Sequence, residues 1–285
     1  MKTTFTRFSF MRRYWACALA LLLLPLLGWG QSTTIVISQV YGGGGGSGAT
    51  YNKDYVELFN KSGVDVVVTG WTLRYGTSGS ATPSTSTQLA TSLVVLPANT
   101  TIQSGKYFLI RLGSNNPTST AASLPPSDAM FDFDIANAGG KLQLLDNTGK
   151  LIDYVGYGTA NFYNGTGAAP APSVTNASTR RNNGCQDTGN NNADFTTLAA
   201  TPRNTGSAGV SCAAPTITSF TPASGPINSV VTITGTGFTG ATVVRFNSTA
   251  AASFSVTDAS TITATVAAGT TSGAISVTTS NGTAT

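Results

Sequence analysis

The sequence has 285 residues, of which 15 are lysine or arginine, 11 are aspartate or glutamate and none is histidine. The lack of histidine excludes Ser-His-Asp and Cys-His catalysis and histidine-ligated zinc. The formal charge of +4 comes entirely from Lys2, Arg7, Arg12 and Arg13. Residues 31–285 are therefore neutral, and nucleic acid is not expected as a partner of this chain.

The N-terminus predicts a secretory signal peptide over residues 1–30. A basic region precedes an apolar run, residues 16–27, and small residues at Gly28 and Gly30 predict cleavage before Gln31. The apolar run is too short for a membrane-spanning helix, which needs about 20 residues. We therefore expect a protein that is secreted into the medium or placed on the cell surface, with no transmembrane segment after cleavage.

The next element is a glycine-rich stretch between Tyr41 and Tyr51, which contains Gly42, Gly43, Gly44, Gly45, Gly46 and Gly48. A phosphate-binding loop would need a lysine at the position that Ala49 occupies. Nucleotide binding is therefore not supported, and the spacing alone leaves a flexible linker and a fold-specific loop open.

Most other segments predict strands. Short β-branched and aromatic runs such as DYVELFN, KYFLIRL and KLIDYVGY alternate with turn residues, which is typical of an all-β sandwich or barrel. Residues 146–149 (DNTG) predict a hairpin turn in which Gly149 takes a positive φ. Cys185 and Cys212 remain after cleavage, and an exported chain with two cysteines predicts one structural disulfide.

Paired carboxylates are the remaining candidates for catalysis, and neither pair is convincing. Asp54 and Glu57 are three residues apart on a predicted strand, so their side chains point to opposite faces. Asp132 and Asp134 share a face, but aspartates at a strand edge are usually solvated. No catalytic residue is predicted, and as given the chain is not expected to be an enzyme.

Two binding hypotheses rest on local patterns. Asp187, Asn190, Asn192 and Asp194 supply oxygen atoms at spacings that suit a calcium loop, although the EF-hand order is absent. The alternative is an Asx-rich loop that bonds to itself, and no other cofactor is expected. Tyr157, Phe162 and Tyr163 lie among glycine and asparagine and are candidates for stacking on a sugar ring, with core packing as the alternative.

A set of motifs extends over residues 31–213. It includes the strand before the glycine stretch, residues 54–60, Gly70-Trp71 and residues 105–110, and it continues through residues 153–158, Gly184-Cys185 and Pro202-Arg203-Asn204. Together these motifs resemble the lamin tail domain of secreted bacterial proteins. This resemblance implies a β-sandwich in which the glycine stretch is a fold-specific loop and Trp71 anchors the core.

Residues 214–285 contain the motifs Ser219-Phe220-x-Pro222 and Ser224-Gly225-Pro226 and the glycines of residues 231–238. These motifs resemble the immunoglobulin-like IPT/TIG family. The family pattern implies a closing strand after the turn at Asn281-Gly282, and we expect that strand to be missing. Together the resemblances imply two immunoglobulin-like β-sandwiches in tandem.

Two functions follow as hypotheses. The first is an exported, non-catalytic binding, adhesion or scaffold protein with an unidentified surface glycan or protein partner. The second is the N-terminal accessory region of a larger secreted nuclease or phosphodiesterase, because lamin tail domains of this type often precede such modules. The catalytic residues would then lie outside this chain.

Overall fold

The computed structural model describes residues 32–80, 89, 92–113, 119–279 and 281–285. The predicted signal peptide and its cleavage site lie outside the described residues. Helical structure in the described ranges consists of a 3₁₀ turn at Asn182–Gly184 and one short helix, α1 (Asn191–Asp194). No helix in this part of the chain has the length and apolar composition of a membrane span.

The first sandwich contains two main sheets and a small strand pair. A six-stranded sheet has the order β12-β11-β1-β2-β7-β8, a four-stranded sheet has the order β10-β9-β4-β5, and β3 pairs with β6. All of these pairings are antiparallel except that of β7 with β8. The strands are β1 (Ile35–Tyr41), β2 (Asp54–Asn60), β3 (Val66–Val67), β4 (Thr72–Thr77), β5 (Ser92–Val95), β6 (Thr101–Ile102), β7 (Tyr107–Leu112), β8 (Ala129–Phe131), β9 (Gly139–Leu145), β10 (Leu151–Gly158), β11 (Asn176–Arg180) and β12 (Phe195–Ala199).

The main core lies between the facing sheets. Alternate residues such as Val56, Leu58, Leu142 and Leu144 enter one apolar cluster, as the two-residue side-chain period of a strand requires. Trp71 lies in the same cluster, so its predicted core role is confirmed. The hairpin between β9 and β10 is also confirmed, with Gly149 at φ 84°.

The six-stranded sheet is buried on its outer face as well. Every residue of β1 and β2 is buried, although a strand with one solvated face would alternate. The outer side chains of Phe59 and Tyr107 pack with Val210 and with Cys185 and Cys212. We call residues 200–212 the strap, because this irregular segment covers the outer face after β12.

The second sandwich consists of two four-stranded sheets, β13-β14-β18-β17 and β16-β15-β19-β20. Its separate core contains Ile233, Phe238, Val244, Ile262 and Val277. The strands are β13 (Thr216–Thr221), β14 (Val230–Thr236), β15 (Val243–Phe246), β16 (Thr249–Ala250), β17 (Ser253–Asp258), β18 (Thr261–Thr265), β19 (Ile275–Thr279) and β20 (Gly282–Ala284).

The expectation of a missing closing strand needs correction. β20 begins at the predicted glycine turn and pairs antiparallel with β19 over three residues. The backbone at a sheet edge favours pairing with a further strand, because N–H and C=O groups without hydrogen-bond partners are costly.

Candidate functional site

The glycine stretch folds around the buried carboxylate of Asp54. Gly44 N donates to Asp54 Oδ1 at 2.7 Å, and Ile135 N donates to Oδ2 at 2.9 Å. A Cβ at Gly44 would overlap the backbone of Lys53 and Asp54, and one at Gly43 would overlap that of Ser173 and Val174. The stretch is therefore a close-packed loop joining β1 to β2, where backbone approach requires glycine. It holds a side chain of the protein rather than a phosphate.

Burial changes the acidity of this carboxyl group. It raises the pKa of Asp54 from 3.8 to about 7, with a smaller contribution from Asp134, while the two backbone donors and Lys53 lower it.

The predicted calcium residues belong to a cluster centred on Arg180. The Arg180 guanidinium lies 2.7 Å from Asp153 Oδ2, 3.3 Å from Asp187 Oδ1 and 3.7 Å from Asp194 Oδ2. Lys61 Nζ adds a second cation 3.2 Å from Asp187. The two carboxylates proposed as calcium ligands therefore already have protein cations beside them.

The rest of this loop bonds to itself. Asp194 accepts from the backbone N–H groups of Thr188 and Asn190 and from the Thr188 hydroxyl. Asn190 exchanges hydrogen bonds with Thr166. The described residues contain no group of three or more His, Cys, Asp or Glu side chains arranged to hold a metal ion. The geometry favours the Asx-rich loop that the sequence left as the alternative.

The three candidate stacking residues have different surroundings. Tyr157 is fully buried in the main core and donates from its hydroxyl to Ala136 O at 2.9 Å, so it is not available to a ligand. Phe162 is half-buried and packs edge-on against Tyr154 with ring centroids 5.3 Å apart. Tyr163 is exposed, and of the three its ring is the most accessible for stacking.

The two carboxylate pairs do not form catalytic dyads. Glu57 is fully buried under the strap, where the Arg203 Nη2 lies 2.8 Å from its Oε1, whereas Asp54 faces the glycine loop. Burial raises the pKa of Glu57, and Arg203 opposes that change. The Arg203 guanidinium also stacks on Tyr107, 3.7 Å from the ring centroid. Asp132 and Asp134 are exposed.

One cavity in the first sandwich combines positive charge with an apolar wall. Its volume is about 450 Å³. The lining residues are the cations Lys53 and Arg111, the polar residues Asn52, Ser123 and Ser127, and the apolar residues Leu124, Pro125, Pro126 and Met130.

Strand register explains why the two cations meet. β2 and β7 pair so that Arg111 lies opposite Tyr55, and Lys53 is two residues before Tyr55 on the same face of the chain. Neither residue was among the predicted site residues. The signal in the sequence was Arg111, a charged residue inside the otherwise apolar run YFLIRL.

Comparisons with known proteins agree with the observed architecture. The Lamin Tail Domain model matches residues 30–159, and the IPT/TIG domain model matches residues 215–285. Comparison with curated proteins gives no match.

Two solved structures show distant similarity. One is SGBP-B from a complex xyloglucan utilization locus in Bacteroides uniformis, at 11% identity and a TM-score of 0.25, covering 88% of this chain and 47% of that one. The other is a crystal structure with xylogluco-oligosaccharide, at 10% identity and a TM-score of 0.23, covering 88% and 58%. The chain spans about half the length of these structures, and the similarity is too distant to transfer a ligand.

The two sandwiches, the glycine loop and the family matches lead to the same assignment. The chain contains a lamin tail domain, matched over residues 30–159, followed by an IPT/TIG domain over residues 215–285.

Proposed function

We propose that this chain is an exported, non-catalytic protein that binds a glycan or protein partner, or serves as a scaffold, at the bacterial cell surface or in the medium. The predicted signal peptide supports export, and the disulfide between Cys185 and Cys212 fits an oxidising compartment. Tandem immunoglobulin-like domains suit a binding or spacer role.

The main support for a non-catalytic role comes from the contacts of the buried acidic side chains. Glu57 is bonded to Arg203, Asp153 and Asp194 surround Arg180, and Asp54 accepts two backbone N–H groups. An acid that acts in catalysis needs access to substrate. These side chains are instead enclosed by protein groups that donate hydrogen bonds to their oxygen atoms or pair with their charge.

The accessible aromatic ring of Tyr163 suggests where a glycan would stack. Tyr163→Ala removes the ring, whereas the matched control Tyr163→Phe keeps the ring and removes only the hydroxyl. For a stacked sugar we expect the Ala variant to lose at least tenfold in affinity and the Phe variant to retain binding.

The experiment is a glycan array probed with the chain from which the signal peptide has been removed. The expected result is a defined set of bound glycans whose signal falls in Tyr163→Ala alone. Metal-dependent cleavage of DNA or of a phosphodiester by the same preparation would overturn the non-catalytic assignment. If the array shows no binding and both Tyr163 variants behave as the parent chain does, the glycan-binding role is rejected and the scaffold role is retained.

A further inference from the structure

The cavity beside β2 and β7 is lined by a buried lysine whose ammonium group has no hydrogen-bond partner among the described residues. Lys53 is only 6% exposed, and its Nζ has no hydrogen-bond partner. Arg111 lines the same cavity, and its buried Nε also lacks a partner. A buried ammonium group without a hydrogen-bond partner is costly to the folded protein. Together with the unpartnered N–H group of the half-buried Arg111, it makes this cavity suited to an anionic ligand.

Lys53 acts electrostatically on Asp54, but no described carboxylate forms a hydrogen bond with its Nζ or with Arg111 Nε. The oxygens of Asp54 accept the N–H groups of Gly44 and Ile135. Asp128, which follows the lining residue Ser127, accepts from Leu109 N and from Thr205. Among the residues that line the cavity, two are cationic and none is acidic.

The volume and lining of the cavity constrain the chemical group that carries the negative charge of the ligand. A volume of about 450 Å³ lies within the range of small-molecule sites. Pro125 and Pro126 offer a rigid apolar wall, and Met130, at 60% exposed, offers a flexible one. Asn52 and Ser127 place amide and hydroxyl groups on the same lining, where they suit the hydroxyl groups of a sugar.

We propose that this cavity binds an acidic sugar residue. The carboxylate or sulfate ester pairs with Lys53 and Arg111, and the sugar ring lies against the two prolines. This deepens the binding role proposed above and rests on it, since a scaffold would have no use for an unpaired buried lysine. Functional sites often retain polar groups that cost stability in the absence of ligand.

Isothermal titration of the full chain without its signal peptide tests the ligand class. Galacturonate and galactose 6-sulfate are the two acidic probes, galactose is the neutral control, and inorganic sulfate tests for a bare anion. We expect at least one acidic sugar to bind at least tenfold more tightly than galactose. The acidic probe that binds more tightly shows whether the cavity prefers a carboxylate or a sulfate ester. Failure of both acidic probes, or equal affinity for inorganic sulfate and the sugars, overturns the proposal.

Variants test the residue assignment. Lys53→Met keeps the aliphatic stem and removes the charge, and Lys150→Met is the matched control because Lys150 is exposed at the β9–β10 turn. We expect Lys53→Met to weaken binding of the acidic sugar at least tenfold and, without ligand, to raise the melting temperature. Lys150→Met should change neither.

Unchanged binding in Lys53→Met overturns the assignment, and a lower melting temperature gives Lys53 a structural role instead. If Lys53→Met does not fold, Arg111→Gln takes its place in the binding assay. If neither acidic sugar binds while the Tyr163-dependent array signal persists, only the cavity proposal is rejected. The two proposals can therefore fail independently.

Discussion

The carboxyl group of Asp54 makes the stability of the first sandwich depend on pH. Its pKa rises from 3.8 in the unfolded chain to about 7 in the folded one, so the folded state holds this proton more tightly. The resulting stabilisation is fully present below about pH 4 and is lost as the pH rises to 7. Since one pKa unit corresponds to about 1.4 kcal/mol, the loss is at most about 4 kcal/mol.

We predict that Asp54→Asn flattens this part of the pH profile, because the amide does not titrate. Urea unfolding of the full chain at intervals between pH 4 and pH 8 measures the effect. Asp132→Asn is the matched control, since Asp132 is exposed. A profile of equal slope in Asp54→Asn and in the parent chain contradicts the assignment.

Arg180 lies beside two of the predicted calcium ligands, Asp187 and Asp194. Its guanidinium is buried among Asp153, Asp187 and Asp194, and its Nε donates to Ile37 O at 2.9 Å. We predict that Arg180→Met destabilises the protein by about 3–5 kcal/mol, because it leaves buried carboxylates without a counter-charge. Arg181→Met, at the exposed neighbouring residue, should cost far less in the same urea titration.

Calcium addition provides the complementary measurement. With the carboxylates already paired, we expect the melting temperature of the full chain to be the same in calcium and in EDTA. A calcium-dependent increase that disappears in Asp194→Asn would contradict the Arg180-centred interpretation and restore the calcium site.

At the scale of elements, the structure shows which parts of the fold were predictable. The β9–β10 hairpin depends on local turn chemistry, with Gly149 at positive φ, and the sequence predicts it correctly. The strap contains few β-branched residues and no period, so its place on the outer face was not predictable. That place depends on distant contacts such as Arg203 with Glu57.

The surroundings of the candidate sites were not predictable for the same reason. The calcium hypothesis used spacing within one loop, whereas Arg180 and Asp153 reach that loop from β11 and β10. The cavity needs Lys53 and Arg111 to meet through the register of β2 and β7. Register is set by long-range pairing, which the sequence of either segment alone does not contain.

At the scale of the whole molecule, the apolar cores of the two sandwiches are separate clusters of residues. Each core therefore provides the cooperative unit for its own unfolding transition. The disulfide between Cys185 and Cys212 lies with the first sandwich and ties the end of the strap to the turn after β11.

We predict that the double variant Cys185→Ser, Cys212→Ser lowers only the melting temperature of the first sandwich. The disulfide joins residues 27 positions apart, and a link of this length stabilises by about 3–4 kcal/mol through the unfolded chain. For a domain of this size that corresponds to a decrease of about 10 °C. Differential scanning calorimetry of the full chain resolves the effect, with the transition of the second sandwich as the internal control. A shift in both transitions would show that the sandwiches unfold together, and an unchanged first transition would mean that Arg203 and the apolar contacts hold the strap without the covalent link.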